Sequence, residues 1–375
     1  PNNSFDKQTI NFLVGANVSE KLYVEAKANY IRQATENRPY IGSNRRNVSF
    51  SLNYTARHIN LDWLKNYKNA DGTMRTWNGN GGYPLNPYWM LNEFLNDDRR
   101  DRLIGYVSLK YKFTNWLNLS LRSGTDFYSD LRNEREGQKS PFRFGGYVRN
   151  VQYNVSEITS DALLTASGKI KNNFTGSISV GASNYAKKYT ESGSEGSNLI
   201  ADGVYVVSNT SNQNGIFGLV RKEINSVYAN GQLGYKNYLF LDVAARNDWS
   251  STLSKGNYSF FYPSVGLSYV FTDALAIKSN LLNFGKLRLS YAQAGSDASA
   301  YLTKAGYSIW NTGYNGQSFA WIQGNIPSSN LKNELKTSWE VGTELRLLKN
   351  RMSIDFTYYS ASTKNQIMQV QIPAP

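Results

Sequence analysis

Two segments of the sequence combine aromatic rings with amide side chains, a combination suited to holding sugars or extended peptides. They read TWNGNGGYPLNPYWMLNEF at 76–94 and SIWNTGYNGQSFAWIQGN at 308–325. Ring faces supply apolar contact, and the amides supply directional hydrogen bonds. The candidate substrate-binding residues are Trp77, Tyr83, Tyr88, Trp89, Trp310, Tyr314 and Trp321. The competing interpretation is that these rings pack the loops against one another.

Side chains suited to catalysis are scarce. His58 is the only histidine and the chain has no cysteine, which excludes thiolate metal sites and histidine-rich ones. The acidic residues of DDRRDR at 97–102 stand among arginines, so mutual neutralisation accounts for them. GNGGYP at 79–84 has Pro84 where a dinucleotide-binding fingerprint needs its last glycine, and NADGT at 69–73 is a turn signal. We therefore expect no enzymatic activity, no cofactor and no metal site.

The charge balance is strongly basic, with 41 Lys and Arg against 28 Asp and Glu and a formal net charge of +13. The basic residues are scattered along the chain with acids nearby, and the sequence has no basic helix or aromatic ribonucleoprotein motif. Nucleic acid is therefore not an expected partner. The excess charge suits a solvated or lumenal surface. Three alternatives remain for the negative charge that it complements: anionic ligands, an acidic partner protein and lipopolysaccharide phosphates.

Alternation of apolar and polar residues is the dominant pattern of the chain, and it is typical of β-strands with one apolar face. Strands are predicted near 8–18, 21–31, 104–113, 116–127, 158–171, 174–185, 224–236, 238–248, 260–271, 284–294, 337–348 and 351–362. They are longer than the roughly 5 to 6 residues usual in soluble proteins. A tilted strand that spans a membrane needs about 9 to 11 residues, which these segments supply.

The two faces of the predicted strands are sorted by polarity. In 21–30, apolar residues occupy the even positions, while Lys21, Glu25 and Lys27 occupy odd ones. In 352–358, apolar residues again occupy every second position. A soluble β-sandwich, such as a cell-surface lectin, and a barrel in lipid both have one dry face, so alternation alone does not separate them.

Connection lengths separate these alternatives. Tight turns, such as those at 114–115 and 349–350, alternate along the chain with long connections. Short turns at one rim and long loops at the other are typical of outer-membrane barrels. The sequence therefore predicts an all-β fold, a transmembrane antiparallel up-and-down β-barrel with short periplasmic turns. The extracellular loops are predicted at 32–103, 128–157, 186–223 and 295–336.

The first of these loops holds two further signals. NVSFSLNYTARHINLDW at 47–63 alternates well, yet a spanning strand there would place two long connections in succession. We therefore place it inside the loop, either as a hairpin strand or as a helix. Later in the same loop, Asn86 and Pro87 are suited to the N-cap and the first position of a short helix.

Three collinear segments resemble SusC/RagA-type TonB-dependent transporters of Bacteroidetes. KNYLFLDVAARNDWSSTLSKGNYSFFYPSVGLSYVFTD at 236–273 has a strand that ends in Arg-x-Asp and is followed by Ser-Ser, then a strand with Phe/Tyr-Pro-Ser. The other two are NPYWMLNEFLNDDRRDRLIGYVSLKYKFTNWLNLSLRSGTDFYSD at 86–130 and SSNLKNELKTSWEVGTELRLLKNRMSIDFTYY at 328–359. Together the three segments span most of the chain.

The resemblance implies a 22-stranded barrel with a plug, embedded in the outer membrane of a Gram-negative bacterium. Such a barrel would import oligosaccharides or peptides, with a SusD-like surface lipoprotein as its lid and TonB as its energy source. Lipid and lipopolysaccharide would surround it, and the family's paired complexes imply a dimer of transporter–lid pairs. The alternative function is a barrel that serves as a structural or assembly component of an outer-membrane complex, without import.

The sequence departs from this family in extent. It shows no signal peptide, TonB box, plug or final strands, and about a dozen strands cannot close a 22-stranded barrel. We therefore expect residues 1–375 to form a partial transmembrane β-barrel domain of a longer polypeptide.

Overall fold

The computed structural model describes residues 3–77, 84–322 and 327–368, and its main feature is one antiparallel sheet of twelve strands. These strands are β1 (Ser4–Asn17), β2 (Leu22–Glu36), β3 (Phe94–Lys112), β4 (Leu117–Glu136), β5 (Tyr147–Lys171), β6 (Phe174–Leu199), β7 (Thr210–Tyr235), β8 (Leu239–Ser250), β9 (Ser259–Val270), β10 (Leu282–Ser296), β13 (Glu334–Leu347) and β14 (Met352–Lys364). The remaining elements are the hairpin β11 (Tyr307–Tyr314) and β12 (Gln317–Ile322), the short helices α1 (Val48–Asn53), α2 (Leu61–Leu64), α3 (Pro87–Glu93) and α4 (Phe271–Ala274), and one 3-10 turn (Val207–Asn209).

The strands follow one another across the sheet in chain order, from β1 to β10 and then β13 and β14. Every neighbouring pair is antiparallel, whether a tight turn or a long connection joins the two strands. The predicted all-β, up-and-down architecture is therefore confirmed. Among the described residues, no helix has the length and apolar character needed to cross a membrane.

Many strands extend beyond their predicted bounds at the end that adjoins a long connection. β5 has 25 residues and β6 has 26, so the connections shrink. The predicted loops 32–103, 128–157, 186–223 and 295–336 are replaced by connections at 37–93, 137–146, 200–209 and 297–333. The predicted bounds were too wide because segments such as YSDLRNERE at 128–136 are polar on both faces, so alternation disappears. Backbone hydrogen bonds to the neighbouring strand continue there nevertheless.

The alternating segment near residue 50 is helical. α1 begins after Asn47, whose side chain accepts a hydrogen bond from the Ser49 N–H at 3.0 Å. Ser51 is buried and its hydroxyl donates to the carbonyl of Leu85 at 2.7 Å. The segment lies in the connection between β2 and β3, as connection parity predicted, and the helix is the alternative that the structure contains.

The large sheet has one apolar face, called the outer face below, and one polar face, called the inner face. On the outer face, Val24 lies opposite Leu109, and Val243 lies opposite Val265. About half of the surface of some apolar side chains on this face is exposed, with 47% for Val243 and 53% for Leu289. In the described part of the chain, nothing covers this face.

Aromatic rings gather where β6 to β9 meet the short turns. The ring centroids of Phe174 and Tyr235 are 4.8 Å apart, and those of Tyr235 and Tyr238 are 5.5 Å apart. Tyr238 and Tyr269 continue this row at 6.4 Å. Neighbouring strands are therefore joined at this edge by ring contacts, each of which adds to stability beyond simple burial.

The strands β1 and β14 form the two edges of the sheet. Among the described residues, β1 pairs with β2 alone and β14 with β13 alone. Every residue of both strands is exposed. An edge of this length presents a row of free backbone groups that pair readily with another strand.

Candidate functional site

Strand register divides the charged run at 97–102 between the two faces of β3. Odd positions lie on the outer face, where Asp97 pairs with Arg135 of β4 at 3.2 Å. Even positions lie on the inner face and find their partners on other segments of the chain. Within the run only Arg99 and Asp101 pair with each other, at 3.2 Å. Mutual neutralisation inside the run is therefore wrong for most of its members, because strand alternation points neighbouring residues to opposite faces.

Asp130 is the centre of the charge network on the inner face. It is 1% exposed, and its Oδ2 accepts hydrogen bonds from Arg100 Nη2 at 2.7 Å and from Arg132 Nη2 at 2.9 Å. Beside it, Arg102 Nε donates to Asp126 Oδ1 at 2.8 Å. A buried carboxylate needs such partners, because removing an unpaired charge from water is costly.

A second group of ion pairs continues the network onto β5 and β6. Arg149 lies 3.4 Å from Glu134 and 3.2 Å from Glu191, measured between guanidinium nitrogens and carboxylate oxygens. Lys187 Nζ lies 2.6 Å from Glu157 Oε1. The basic side chains of this region are therefore neutralised locally.

Tyrosine rings lie between these ion pairs. The guanidinium of Arg100 lies 4.9 Å from the ring centroid of Tyr128, and that of Arg132 lies 4.9 Å from the centroid of Tyr153. The centroids of Tyr153 and Tyr189 are 6.3 Å apart. We call the surface of these five residues the arginine–tyrosine wall. It offers flat ring faces and polar groups with compensated charge, which suits neutral polar ligands such as glycans and peptide backbones.

Residues 37–47, called the strap below, are tied to the inner face at both ends. Arg38 pairs with Asp98 of β3, whose side chain is 5% exposed. Arg46 pairs with Glu136 of β4, whose side chain is 3% exposed. Charge-assisted bonds of this kind are about twice as strong as neutral ones, so both ties restrain the strap.

A polar cavity of about 530 Å³ separates the strap from the arginine–tyrosine wall. Arg100 and Arg132 line it on the side of the wall, and Tyr40 and Ile41 line it on the side of the strap. Burial, and after it the charge of the nearby Glu134, raises the pKa of Tyr40, so the phenol stays protonated further into the alkaline range than an ordinary tyrosine. The volume falls within the range of ligand pockets, about 300 to 1,000 Å³.

The connection between β2 and β3 has a small hydrophobic core of its own. Trp89 lies at its centre, 1% exposed, and packs with Leu85, Met90 and Phe94. The ring of Tyr67 meets the indole edge-on, with centroids 6.1 Å apart. The connection is therefore a folded layer beside the sheet.

The side chain of Asn86 holds this layer together through hydrogen bonds to three backbone groups. Its Oδ1 accepts the N–H of Tyr88 at 2.9 Å, which confirms the predicted N-cap with Pro87 at the first helical position. Its Nδ2 donates to the carbonyls of Leu64 at 3.1 Å and Arg75 at 3.0 Å. One buried amide thus joins α3 to the end of α2 and to the following segment.

The predicted substrate-binding residues fall into different environments. Trp89 fills the interior of the loop core, a position that favours packing and differs from the predicted ligand contact. Trp77 and Tyr88 are half-buried in the same connection. Tyr314 and Trp321 are 73% and 52% exposed on the β11–β12 hairpin, where they remain accessible to a ligand.

Two further predicted residues have less structural detail. Tyr83 lies outside the described residues. Trp310 is described through its backbone, which pairs with Phe319 of β12. The members of the set that are described therefore divide between one loop and one hairpin.

Sequence reasoning missed the arginine–tyrosine wall. The sequence did contain one indication of the wall. If the odd–even alternation of the strands is continued beyond their last apolar residues, Arg100, Tyr128 and Tyr153 fall on the polar face. Their contacts depend on the register between β3, β4 and β5, which the sequence pattern did not supply. Within the described ranges, no group of three or more His, Cys, Asp or Glu side chains is arranged to hold a metal ion.

Comparison with known sequences finds relatives along nearly the whole chain. The family model described as TonB dependent receptor-like, beta-barrel matches residues 35–375. The chain is 25% identical over 324 residues to TonB-dependent receptor P3 of Formosa agariphila, covering 81% of this chain and 31% of that protein. It is 30% identical over 155 residues to TonB-dependent receptor P26 of the same organism, covering 40% of this chain and 16% of that protein. The chain thus spans about a third or less of these relatives.

Comparison with solved structures finds the same fold. The RagAB peptide transporter matches with a TM-score of 0.82 at 16% identity, covering 98% of this chain and 41% of that chain. The Pseudomonas aeruginosa receptor FpvA, solved with heterologous pyoverdines, matches with a TM-score of 0.54 at 10% identity, covering 96% of this chain and 42% of that chain.

Proposed function

The chain belongs to the TonB-dependent receptor-like β-barrel family, and on that premise we propose that it is part of an outer-membrane importer of oligosaccharides or peptides. The importer works with a SusD-like surface lipoprotein and draws its energy from TonB. Its role is transport, without a catalytic step.

The observation that carries this proposal is the continuous apolar outer face of the sheet. Val107, Leu121, Val227, Val243 and Leu289 lie on this face of different strands and are all substantially exposed. Exposing such a face to water costs about 25 cal/mol of free energy for each Å² of apolar surface. Contact with lipid hydrocarbon removes this cost. The polar inner face then lines the lumen, as in other membrane barrels.

The two edges of the sheet support a larger barrel. Unpaired backbone groups are not tolerated in lipid, so β1 and β14 require neighbours within the membrane. We assign these neighbours to further strands of a 22-stranded barrel that also contains a plug. The short turns face the periplasm, and the connections at 37–93, 137–146, 200–209, 251–258 and 297–333 face the exterior.

The inner face supports a polar, largely uncharged substrate. The arginines of the wall are already paired with carboxylates, so the wall presents ring faces and hydrogen-bonding groups in place of free charge. Exposed Tyr314 and Trp321 supply further rings on the exterior side. Glycans and peptides both match this chemistry, and the lipoprotein would close over the bound ligand. Two such pairs would form the complete assembly, surrounded by lipid and lipopolysaccharide.

The experiment that tests this function is purification of the full-length protein from outer membranes in mild detergent, followed by mass spectrometry of bound proteins and small molecules. We expect a surface lipoprotein of the SusD type together with glycan or peptide. Recovery with unrelated assembly proteins and without ligand would favour the second candidate, a structural component of an outer-membrane complex.

A matched pair of variants tests the exterior rings. Trp321→Ala should weaken ligand uptake by the full-length transporter while leaving barrel assembly intact. Trp116→Ala is the control, because Trp116 is similarly exposed, at 56% against 52%, but lies beside a short turn. Equal uptake by the two variants and the unchanged protein would reduce Trp321 to a packing residue.

A further inference from the structure

A groove of about 350 Å³ lies on the outer face, close to the short turns that follow β3, β5 and β7. Its floor is low because Gly168 of β5 and Gly176 of β6 have no side chain, and a Cβ added to Gly168 would stand 4.0 Å from that of Trp116. The side chains around this floor are apolar: Trp116, Ala166, Ile170, Ile178 and Leu233. Among the described residues that line the groove there is no carboxylate.

The groove is continuous with the apolar surface of the sheet. Ala166 lies opposite Ile178, and Leu164 lies opposite Val180 in the next row of the outer face. The polar residues that also contribute to the groove are Ser167, Lys169, Ser177 and Gln232. They alternate with the apolar residues along their strands, so their side chains belong to the inner face. In the described sheet, no polar row therefore separates the groove from the rest of the apolar face.

Two lysines stand where this groove reaches the short turns. The register shifts by one residue between Lys169 and Lys171, so Lys171 lies opposite Phe174 and shares its outer face. In the next turn along the sheet, the Lys236 N–H donates to the carbonyl of Asn173 at 2.8 Å, which joins the two turns. Lys171 and Lys236 are exposed, and within the described residues neither of them pairs with a carboxylate.

The excess of positive charge extends along the whole short-turn edge of the sheet. An exposed lysine lies in or directly beside each of the six short turns: Lys21, Lys112, Lys171, Lys236, Lys278 and Lys349. Acidic residues in these described turns are limited to Glu20 and Asp273, and neither belongs to a turn beside the groove. Asp242 of β8 lies on the inner face, where it accepts a hydrogen bond from Gln232 at 2.7 Å. The edge therefore complements a negatively charged surface.

Aromatic rings mark the level of the two lysines. The rings of Phe174, Tyr235 and Tyr238 stand at this edge of the outer face, and the Lys236 Nζ lies 5.4 Å from the centroid of Tyr235. In membrane barrels, such rings gather at the boundary between hydrocarbon and headgroups. With the short turns on the periplasmic side, the lysines stand at the level of the phosphates of the periplasmic leaflet, and the groove lies among its acyl chains.

We propose that Lys171 and Lys236 bind the phosphate of an anionic phospholipid of the periplasmic leaflet, with an acyl chain in the groove over Gly168 and Gly176. This inference rests on the proposed placement of the outer face in lipid. The occupant is a phospholipid and not a soluble anion, because the groove is apolar and opens onto the apolar face, while the cations are confined to its short-turn end.

The test uses the full-length protein in detergent and native mass spectrometry, with phosphatidylglycerol and phosphatidylcholine of the same acyl chains as probes. We expect phosphatidylglycerol to bind about tenfold more tightly, because each lysine near the membrane surface attracts anionic lipid. Lys171→Gln combined with Lys236→Gln should abolish this preference. The matched control is Lys255→Gln combined with Lys304→Gln, two exposed lysines beside the long connections. It should preserve the preference, because solvent and salt screen charges at that distance.

Gly168→Leu tests the part of the site that holds the acyl chain. The new side chain would fill the groove without meeting the backbone, since the nearest heavy atom to its Cβ is the Cβ of Trp116. We expect the Kd of phosphatidylglycerol to rise severalfold. Gly256→Leu, at an open position in the connection after β8, is the control and should leave the Kd unchanged. Heat-modifiable mobility on gels confirms that each variant is folded.

The possible failures of this test can be told apart. Equal affinity of the unchanged protein for the two lipids would overturn the proposal, and so would a preference that survives in the lysine variant. Competition by millimolar inorganic phosphate would also overturn it, because the occupant would then be a soluble anion. Binding of neither lipid would in addition contradict the placement of the outer face in lipid, on which the proposed function depends.

Discussion

The sheet has two regions built in different ways: an apolar band beside the short turns, and projecting ends of β3 to β7 beside the long connections. In the band, each strand needs only its own alternation to sort apolar from polar residues, and lipid is the proposed partner of the apolar side. In the projecting ends, polar and charged side chains occupy both faces, and ion pairs between strands, such as those around Asp130, contribute to stability. The comparison teaches that one sheet can depend on the surrounding medium along one half of its length and on specific side-chain partners in neighbouring strands along the other half.

The largest expected effect concerns the folded layer above the sheet. Trp89→Ala should remove about 3 to 5 kcal/mol of packing, because it empties the centre of the loop core. The effect should stay in the loop, so limited trypsin digestion of the full-length protein should cleave within 37–93 while the barrel keeps its heat-modifiable mobility on gels. Loss of the barrel itself would mean that the two regions fold as one unit.

Charge on the outer face of the band gives the next largest effect. Val243→Arg or Leu289→Arg should cost about 2 to 4 kcal/mol if the site lies near the bilayer midplane. Ser290→Arg, next to Leu289 but on the inner face, is the control and should be tolerated. Urea titration in lipid vesicles measures these free energies of unfolding, and equal costs on the two faces would refute the assignment of inner and outer.

In the projecting ends, a single carboxylate should matter more than its neighbours. Asp130→Asn should cost about 2 kcal/mol, because Arg100 and Arg132 lose the charge that they share. Asp97→Asn, on the outer face and 31% exposed, should cost less than about 1 kcal/mol. The same urea titration compares them, and a cost for Asp97 equal to that for Asp130 would argue against a buried network.

The smallest effect concerns one phenol at the outer end of β5. Tyr147→Phe removes a hydrogen bond of 2.6 Å to Glu195 and should cost about 1 kcal/mol. Burial, followed by the bond to Glu195, raises the pKa of Tyr147, so this contribution is fully present below the ordinary phenol pKa of 10.0. It is lost only as the pH rises through the higher pKa of the folded state. The stability difference between the two proteins should therefore be constant from about pH 6 to 9, and a change within that interval would contradict the assignment.

Sequence was sufficient for the band and insufficient for the projecting ends, for a physical reason. Alternation is a local property, so Leu22 to Tyr30 could be assigned to faces without knowing their neighbours. The wall depends on which residue of β4 stands opposite Arg100, and that register is a property of two strands together. Trp89 and Trp321 look alike in sequence, yet one fills a core and the other is exposed, because burial is decided by the surrounding fold.

The residue-by-residue pairing of the projecting strands also limits how this receptor can diversify. β5 and β6 are paired from Tyr147 with Ser197 down to the turn, so one inserted residue would turn every ring beyond it to the opposite face. Two residues inserted into both strands would instead raise the rim by about 7 Å and keep Tyr153 and Tyr189 where they are. Relatives with a taller rim are thus expected to have lengthened these strands in even steps, while the apolar band beneath keeps its length.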